Sequence, residues 1–312
     1  INRNASLPLG TQATEDGFAA IMNWTDQVSL EEVEYTLACA DCMATVPHAQ
    51  KLLHNRSVKQ ALACMRQGMI DKKAYAANPL KQSDTPFLFE VRFAYELFRR
   101  GIDFAYEFQT GVGDSSVDFK FDVFAYTFLV ELGRFHVSDA VSRATSENDG
   151  ISTLILRSGA PDKATEEHEM LTAQDKLLRK CYDRRRGIPI KFPTPCSHTY
   201  HVIMVDARGY LGLGSGNECD WMQIANGSAG LLPARVHMDP NNGTPLRGLF
   251  EAEYPYNPDA AQVFRDRIHL IGFAIEKEFH VGEIQEVTKH TANPLLFKSQ
   301  EYDTMWRHWA LS

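Results

Sequence analysis

The sequence contains no long hydrophobic run, few cysteines for its length and no overall excess of positive charge. The longest apolar stretches, such as Phe124–Leu132, are far shorter than the roughly 20 residues that a membrane-spanning helix needs. Six cysteines are scattered over 312 residues, which argues against a fold built on disulfides. The first residues show no secretory pattern. We therefore expect a cytoplasmic protein without a membrane partner.

The distribution of charge leaves two interpretations open. The net charge of −8 disfavours nucleic acid as a general partner, because phosphate binding requires a positive surface. However, residues 176–191 hold a basic stripe in which Asp183 is the only acid. This stripe is either a solvated helix face or a nucleic-acid-binding surface. Its basic residues are Lys176, Arg179, Lys180, Arg184, Arg185, Arg186 and Lys191.

Hydrophobic periodicity and turn signals divide the chain into three parts. Residues 1–82 are predicted to be helical, residues 83–215 form a mixed α/β core, and residues 216–312 are an extension without a clear role. In the core, Pro86 starts a buried helix that ends before Gly101. The predicted elements of the core are a helix at 87–100, strands at 103–108, 116–123 and 126–132, a fourth strand at 152–156, a helix at 166–185 and a strand at 200–205.

A pairing of two strands can be predicted from residue types. If the chain turns at Phe124 and Ala125, one face of the hairpin becomes wholly apolar, and on the other face Asp118 lies opposite Glu131. Like charges placed directly opposite each other destabilise a sheet. A divalent cation would compensate them, because Mg²⁺ binds one or two carboxylates together with water and phosphate. Two solvated acids on an exposed face are the alternative.

This order of elements resembles the core of the PD-(D/E)xK nuclease superfamily, which has a restriction-endonuclease-like αβββαβ fold with a mixed sheet. The resemblance spans residues 83–206. Glu90 is similar to the carboxylate of the family's first helix, and Val117-Asp118-Phe119 is similar to its Pro-Asp segment. The segment Phe128–Leu132 resembles the apolar strand that carries the Glu of Glu-x-Lys. The resemblance implies that Glu90, Asp118 and Glu131 are catalytic and bind Mg²⁺ or Mn²⁺.

One position departs from the family pattern. Where the family has lysine, two residues after the glutamate, this chain has Gly133. Some members of the superfamily recruit the lysine from the following helix, which makes Lys176 the expected catalytic lysine. Lys120, which shares the strand face of Asp118, is a possible substitute.

The resemblance implies a metal-dependent endonuclease, a hydrolase of phosphodiester bonds in DNA or RNA. The expected nucleic-acid-binding residues are Lys176, Arg179, Lys180, Arg184, Arg185 and Arg186. Two alternatives remain open. One is a catalytically inactive binding or structural module on the nuclease fold, and the other is a metal-dependent phosphohydrolase that acts on a small substrate.

Overall fold

The computed structural model of the chain describes most of the predicted core and parts of both flanking segments. The described residues are 29–71, 85–136, 145–148, 151–154, 166–210, 218–229, 231–275, 279 and 282–297. Within these ranges the chain forms seven α-helices, ten strands and three short 3₁₀ turns.

The helices and strands are labelled here in chain order. The helices are α1 (Leu30–Cys42), α2 (Gln50–Leu53), α3 (Arg56–Ile70), α4 (Pro86–Arg99), α5 (Glu166–Leu178), α6 (Glu218–Asn226) and α7 (Pro258–Arg267). The strands are β1 (Phe104–Gln109), β2 (Ser116–Val123), β3 (Tyr126–Arg134), β4 (Thr145–Asn148), β5 (Ile151–Leu154), β6 (Tyr182–Asp183), β7 (Ile188–Pro189), β8 (Thr199–Asp206), β9 (Leu270–Ala274) and β10 (Thr288–Ala292).

Local signals in the sequence set the ends of the helices. Ser29 caps α1, since its hydroxyl accepts a hydrogen bond from the Glu32 amide at 3.1 Å. The Asn55 side chain caps α3 in the same way. Helix α4 begins at Pro86, as predicted, and Gly101 follows its end with a φ of +67°, a conformation that glycine adopts without steric cost.

Six strands form one mixed sheet in the order β1-β2-β3-β8-β9-β10. Strands β1, β2 and β3 are antiparallel neighbours, whereas β8 runs parallel to both β3 and β9. The mixed α/β architecture predicted from the sequence is confirmed. Strands β9 and β10 belong to the segment 216–312, for which the sequence suggested no role, and they extend this sheet.

Helices cover both faces of the sheet. Helices α1, α3 and α4 pack on one face, where their apolar residues join Phe119, Phe121 and Phe128 in a single cluster. Helices α5, α6 and α7 pack on the other face against a second cluster that includes Ile203 and Phe273. The result is a three-layered arrangement with two cores. No helix in the described ranges is long and apolar enough to cross a membrane.

The helix predicted at 166–185 is shorter than expected, and this part of the prediction was wrong. Helix α5 ends at Leu178, and a hairpin of β6 and β7 follows it. The Asp183 carboxylate accepts hydrogen bonds from the Arg185 and Arg186 amides, and Gly187 has a φ of +67°, so this segment forms a turn. Consequently, Arg184, Arg185 and Arg186 of the basic stripe lie on a hairpin.

The fourth predicted strand, at 152–156, coincides in part with β5. It pairs with β4 in a separate two-stranded sheet and does not join the large sheet. Residues 155 and 156 lie outside the described residues.

Two buried histidines make the fold sensitive to acid. His201 and His269 are 0% and 5% exposed, and the His269 Nδ1 atom accepts a hydrogen bond from the His201 amide at 3.1 Å. Burial lowers the pKa of His201 to about 4 and that of His269 to about 3. Both side chains are therefore neutral in the folded protein at neutral pH.

We predict that His201 and His269 contribute a loss in the free energy of unfolding as the pH decreases from about 6.5 to about 4, because their imidazoles take up protons in the unfolded chain but stay neutral in the folded protein. Urea unfolding at a series of pH values would measure this loss. His201→Phe should flatten the pH dependence, whereas the same change at the exposed His54 should not. An unchanged pH profile in His201→Phe would contradict the assignment.

Candidate active site

The strand pairing that places the acidic residues follows the predicted register. Strands β2 and β3 pair from Phe119 with Val130 to Val123 with Tyr126. The turn between them lacks glycine, and Phe124 takes the positive φ of +54° that the tight turn requires. The regular pairing stops before Asp118 and Glu131. There the Asp118 Oδ2 atom accepts a hydrogen bond from the Leu132 amide at 2.6 Å.

Glu131 is the most deeply buried acid of the site, with 1% of its surface exposed. Its Oε1 atom accepts hydrogen bonds from the Nζ atoms of Lys180 at 2.8 Å and Lys191 at 2.5 Å. Its Oε2 atom is buried and has no hydrogen-bond partner among the described residues. A buried carboxylate is tolerated only when cations or donors compensate it, so the two lysines make this position possible.

The structure brings the three predicted carboxylates into one electrostatic group. Burial raises the pKa of Asp118 well above its usual range, and the negative charges of Glu131 and Glu90 raise it further. Burial also raises the pKa of Glu90 to about 7, while the Tyr106 hydroxyl, which donates to Glu90 Oε2 at 2.6 Å, opposes this shift. Raised pKa values in neighbouring buried acids are typical of functional sites.

The lysines that contact this group are Lys180 and Lys191, whereas the predicted Lys176 and Lys120 lie beside other side chains. The Lys176 Nζ atom lies 5.6 Å from the centroid of the Phe135 ring. The Lys120 Nζ atom donates to the Asp122 carboxylate at 3.2 Å. The chain leaves helix α5 after Leu178, and it is the ammonium of Lys180, two residues further on, that contacts Glu131.

Gly133 provides the space that Lys180 occupies. A Cβ atom built on Gly133 would lie 3.3 Å from Lys180 Cε and 3.8 Å from Lys180 Nζ. The Lys180 ammonium also donates to the Leu132 carbonyl at 2.6 Å. The end of this side chain therefore lies beside the backbone position where the Glu-x-Lys motif would carry its lysine. The glycine at this position was the one signal in the sequence that the lysine comes from elsewhere.

The expected nucleic-acid-binding arginines are partly neutralised by acids of the same chain. Arg179 and Arg184 both contact the Asp175 carboxylate. Arg186 lies 3.0 Å from Asp114 and also contacts Asp183. Arg185 is exposed and makes no ion pair among the residues that the structure describes. These arginines lie on or beside the β6–β7 hairpin, which runs between the two lysines bound to Glu131.

The chemistry of the donor atoms fits a hard divalent cation. In the described part of the chain, no group of three or more His, Cys, Asp or Glu side chains is arranged to hold a metal ion. Mg²⁺ needs fewer protein ligands, since it commonly binds one or two carboxylates together with waters and substrate phosphates. Asp118 and Glu131 supply two carboxylates, and the buried Glu131 Oε2 atom lacks a partner within the described residues. A cation would reduce the repulsion between Asp118 and Glu131 and would give the Glu131 Oε2 atom a partner.

Comparisons with known proteins do not add to this interpretation. The chain matches no protein-family model, no curated protein and no solved structure. The roles of Glu90, Asp118, Glu131 and Lys180 are therefore argued from their contacts and charges.

We predict that Asp118→Asn stabilises the metal-free protein at pH 7. Burial and two neighbouring acids disfavour the charged Asp118 carboxylate, and an asparagine oxygen can still accept the hydrogen bond from Leu132. The gain in the free energy of unfolding should vanish at low pH, where Asp118 is already neutral. Thermal unfolding at pH 7 and pH 4 would measure it. The matched control is Asp122→Asn, which should not stabilise, because hydrogen bonds from Thr127 and Lys120 favour the charged form. A lower melting temperature of Asp118→Asn at pH 7 would contradict the prediction.

Proposed function

We propose that the protein is a metal-dependent phosphodiester hydrolase of the PD-(D/E)xK type, acting on DNA or RNA with Mg²⁺ or Mn²⁺. The observation that carries this proposal is the position of Lys180. Its ammonium bonds Glu131 Oε1 and the Leu132 carbonyl in the space left by Gly133. The site thus has two acids on paired strands and a third acid on the preceding helix. It also has a lysine whose ammonium lies beside Gly133, the position at which the family's motif has its lysine.

Each residue of the site has a role that its contacts support. Asp118 and Glu131 would hold the metal ion, with Glu90 bound directly or through a water molecule. The bound ion would lower the pKa of a water molecule and neutralise charge that develops on the phosphate. The Lys180 ammonium, fixed by the Leu132 carbonyl, would orient the attacking water and stabilise the negative transition state. The Tyr106 hydroxyl fixes the Glu90 carboxylate.

The balance of charge at the site supports a phosphate substrate only when a cation is present. Three carboxylates face two ammonium groups, so the group is negative when all three acids are ionised. A divalent cation reverses this sign and makes the site attractive to a phosphodiester. The arginines of the β6–β7 hairpin would then contact the flanking phosphates. The six cysteines are all free thiols, which is consistent with the proposed reducing cytoplasm.

A second candidate is an inactive binding module on the same fold. It is favoured by the two lysines on Glu131 Oε1, because two ammonium groups compensate the buried carboxylate without any metal ion. The net charge of −8 also favours this candidate over a strong nucleic-acid binder. The two candidates differ in whether Mn²⁺ binds and whether nucleic acid is cleaved.

The first test is cleavage of single- and double-stranded DNA and of RNA by the purified protein with Mg²⁺ or Mn²⁺. Asp118→Ala and Glu131→Ala should abolish cleavage. Lys180→Ala should lower the rate by ~10²-fold or more, the scale of a positioned catalytic group, and by more than Lys176→Ala. The exposed Lys289→Ala is the control and should retain the wild-type rate. Absence of cleavage together with absence of Mn²⁺ binding would favour the inactive module.

A lysine exchange tests the assignment of Lys180 more sharply. In the double variant Gly133→Lys/Lys180→Ala, the lysine moves to the position of the Glu-x-Lys motif and the space that it needs becomes empty. This double variant should recover at least part of the activity that Lys180→Ala loses. Gly133→Lys alone should not gain activity, because the two side chains would compete for one space. If the double variant is as inactive as Lys180→Ala, while both fold, Lys180 does not replace that lysine.

We further predict that the β6–β7 hairpin contributes to nucleic-acid affinity. Changing Arg184, Arg185 and Arg186 together to glutamate should weaken binding and reduce the slope of log K against log salt concentration, because fewer phosphate contacts release fewer counterions. Fluorescence anisotropy with a labelled duplex at several salt concentrations would measure both. Arg56→Glu, at an exposed position on α3, is the control for net charge. Equal affinity and slope in the hairpin variant and the wild type would show that these arginines are surface residues only.

A further inference from the structure

The Lys191 side chain contacts Glu131, and the backbone of Lys191 is strained. Its φ is +63°, and the Phe192 amide donates to the Ile190 carbonyl at 2.7 Å, which closes a γ-turn centred on Lys191. A γ-turn with positive φ is rare and strained for a residue with a side chain. The neighbouring contacts nevertheless hold it in place. The Lys191 amide donates to the Val112 carbonyl at 3.3 Å, and the Thr110 hydroxyl donates to the Lys191 carbonyl.

The strained turn has one visible effect on the site, which is to bring the Lys191 ammonium to within 2.5 Å of Glu131 Oε1. Glycine would adopt this backbone conformation without steric cost, but glycine would bring no charge to Glu131. Strained residues of this kind are found where function requires the side chain. The turn therefore indicates that the Lys191 ammonium itself is needed at the carboxylate.

The two lysines on Glu131 Oε1 are not equivalent. Lys180 has a second acceptor, the Leu132 carbonyl at 2.6 Å, which would keep its ammonium in place if Glu131 took another partner. Lys191 bonds only Glu131 among the described residues. Only the Lys191 ammonium thus depends wholly on Glu131 for its place in the site.

We propose that Lys191 is a positioning residue that occupies Glu131 until a divalent cation replaces it. This inference rests on the proposed function, since it assumes that Glu131 is a metal ligand. A divalent cation bound at Glu131 Oε2 would repel the ammonium groups on Oε1; Lys191, which has no second acceptor among the described residues, would leave, whereas Lys180 would stay on the Leu132 carbonyl. The released ammonium is then free to contact a phosphate oxygen of the substrate. The exchange keeps the buried carboxylate compensated at every stage.

This proposal predicts how Lys191 affects metal affinity in the absence of substrate. Because the ammonium and the metal ion compete for one carboxylate, Lys191→Gly should bind Mn²⁺ about 10-fold more tightly than the wild type. Glycine suits the positive φ, which offsets part of the stability lost with the ion pair, and Lys180 still compensates Glu131, so this variant should remain folded. Lys191→Arg keeps the positive charge and should bind Mn²⁺ with affinity close to that of the wild type. The exposed Lys289→Gln changes the net charge elsewhere and should have no effect.

Isothermal titration of the full chain with MnCl₂ alone measures these affinities, and thermal unfolding checks that each variant is folded. If the wild type binds Mn²⁺ and Lys191→Gly binds it no more tightly, Lys191 is not the competing cation, although the nuclease proposal stands. If Lys191→Arg binds as tightly as Lys191→Gly, the effect comes from the loop and not from the charge, and the inference is again overturned. If neither the wild type nor Lys191→Gly binds Mn²⁺, the metal-dependent function and the inference both fail.

Discussion

The structure depends at its centre on a carboxylate that is buried inside a mixed sheet. Glu131 lies on β3, between the antiparallel strand β2 and the parallel strand β8, and it is almost without solvent contact. A charge in such a place is costly unless cations reach it. Lys180, which follows the end of α5, and Lys191, in the strained turn, both bind Glu131 Oε1, so both ends of the hairpin between them contact the sheet at this oxygen atom. The path of the chain through the hairpin thus brings two positively charged side chains to the Glu131 carboxylate.

A second buried acid, on the neighbouring strand β8, has its negative charge compensated by arginines. Asp206, at the end of β8, is held by Arg208, which also binds Glu32 of helix α1. Burial alone would raise the pKa of Asp206, but Arg208 and Arg134 outweigh it and hold the pKa well below its usual range. This network joins the N-terminal helices to the sheet. Asp118 shows the opposite shift, because burial raises its pKa and the negative charges of Glu131 and Glu90 raise it further. The charges around Asp206 therefore stabilise the fold, whereas those around Asp118 and Glu131 form a candidate functional site.

The sequence predicted the strands of the site well, because alternating apolar and polar residues permit only one register for β2 and β3. It did not indicate that Lys180 and Lys191 contact Glu131, since periodicity alone does not show where a helix ends when the following residues are also polar and basic. The end of α5 is followed by a turn that Asp183 stabilises locally, and Lys180 is anchored to β3 by a contact with Leu132, 48 residues away in sequence. Strand β9 was missed for a related reason. It follows α7 after two residues, and a short apolar run next to a helix does not distinguish the two structures.

Under the proposed function, Gly133 leaves room for a lysine from another part of the chain to take the place of the motif lysine. A Cβ atom at this position would lie 3.3 Å from Lys180 Cε, so the glycine favours the observed position of the Lys180 ammonium. The physical requirement is a positive charge next to the carboxylate and the Leu132 carbonyl, and the backbone position from which that charge comes is secondary. A lysine carried by the end of a helix has a further consequence. Under the proposed function, contacts of the β6–β7 hairpin with a substrate would therefore act on the same carboxylate that would hold the metal ion.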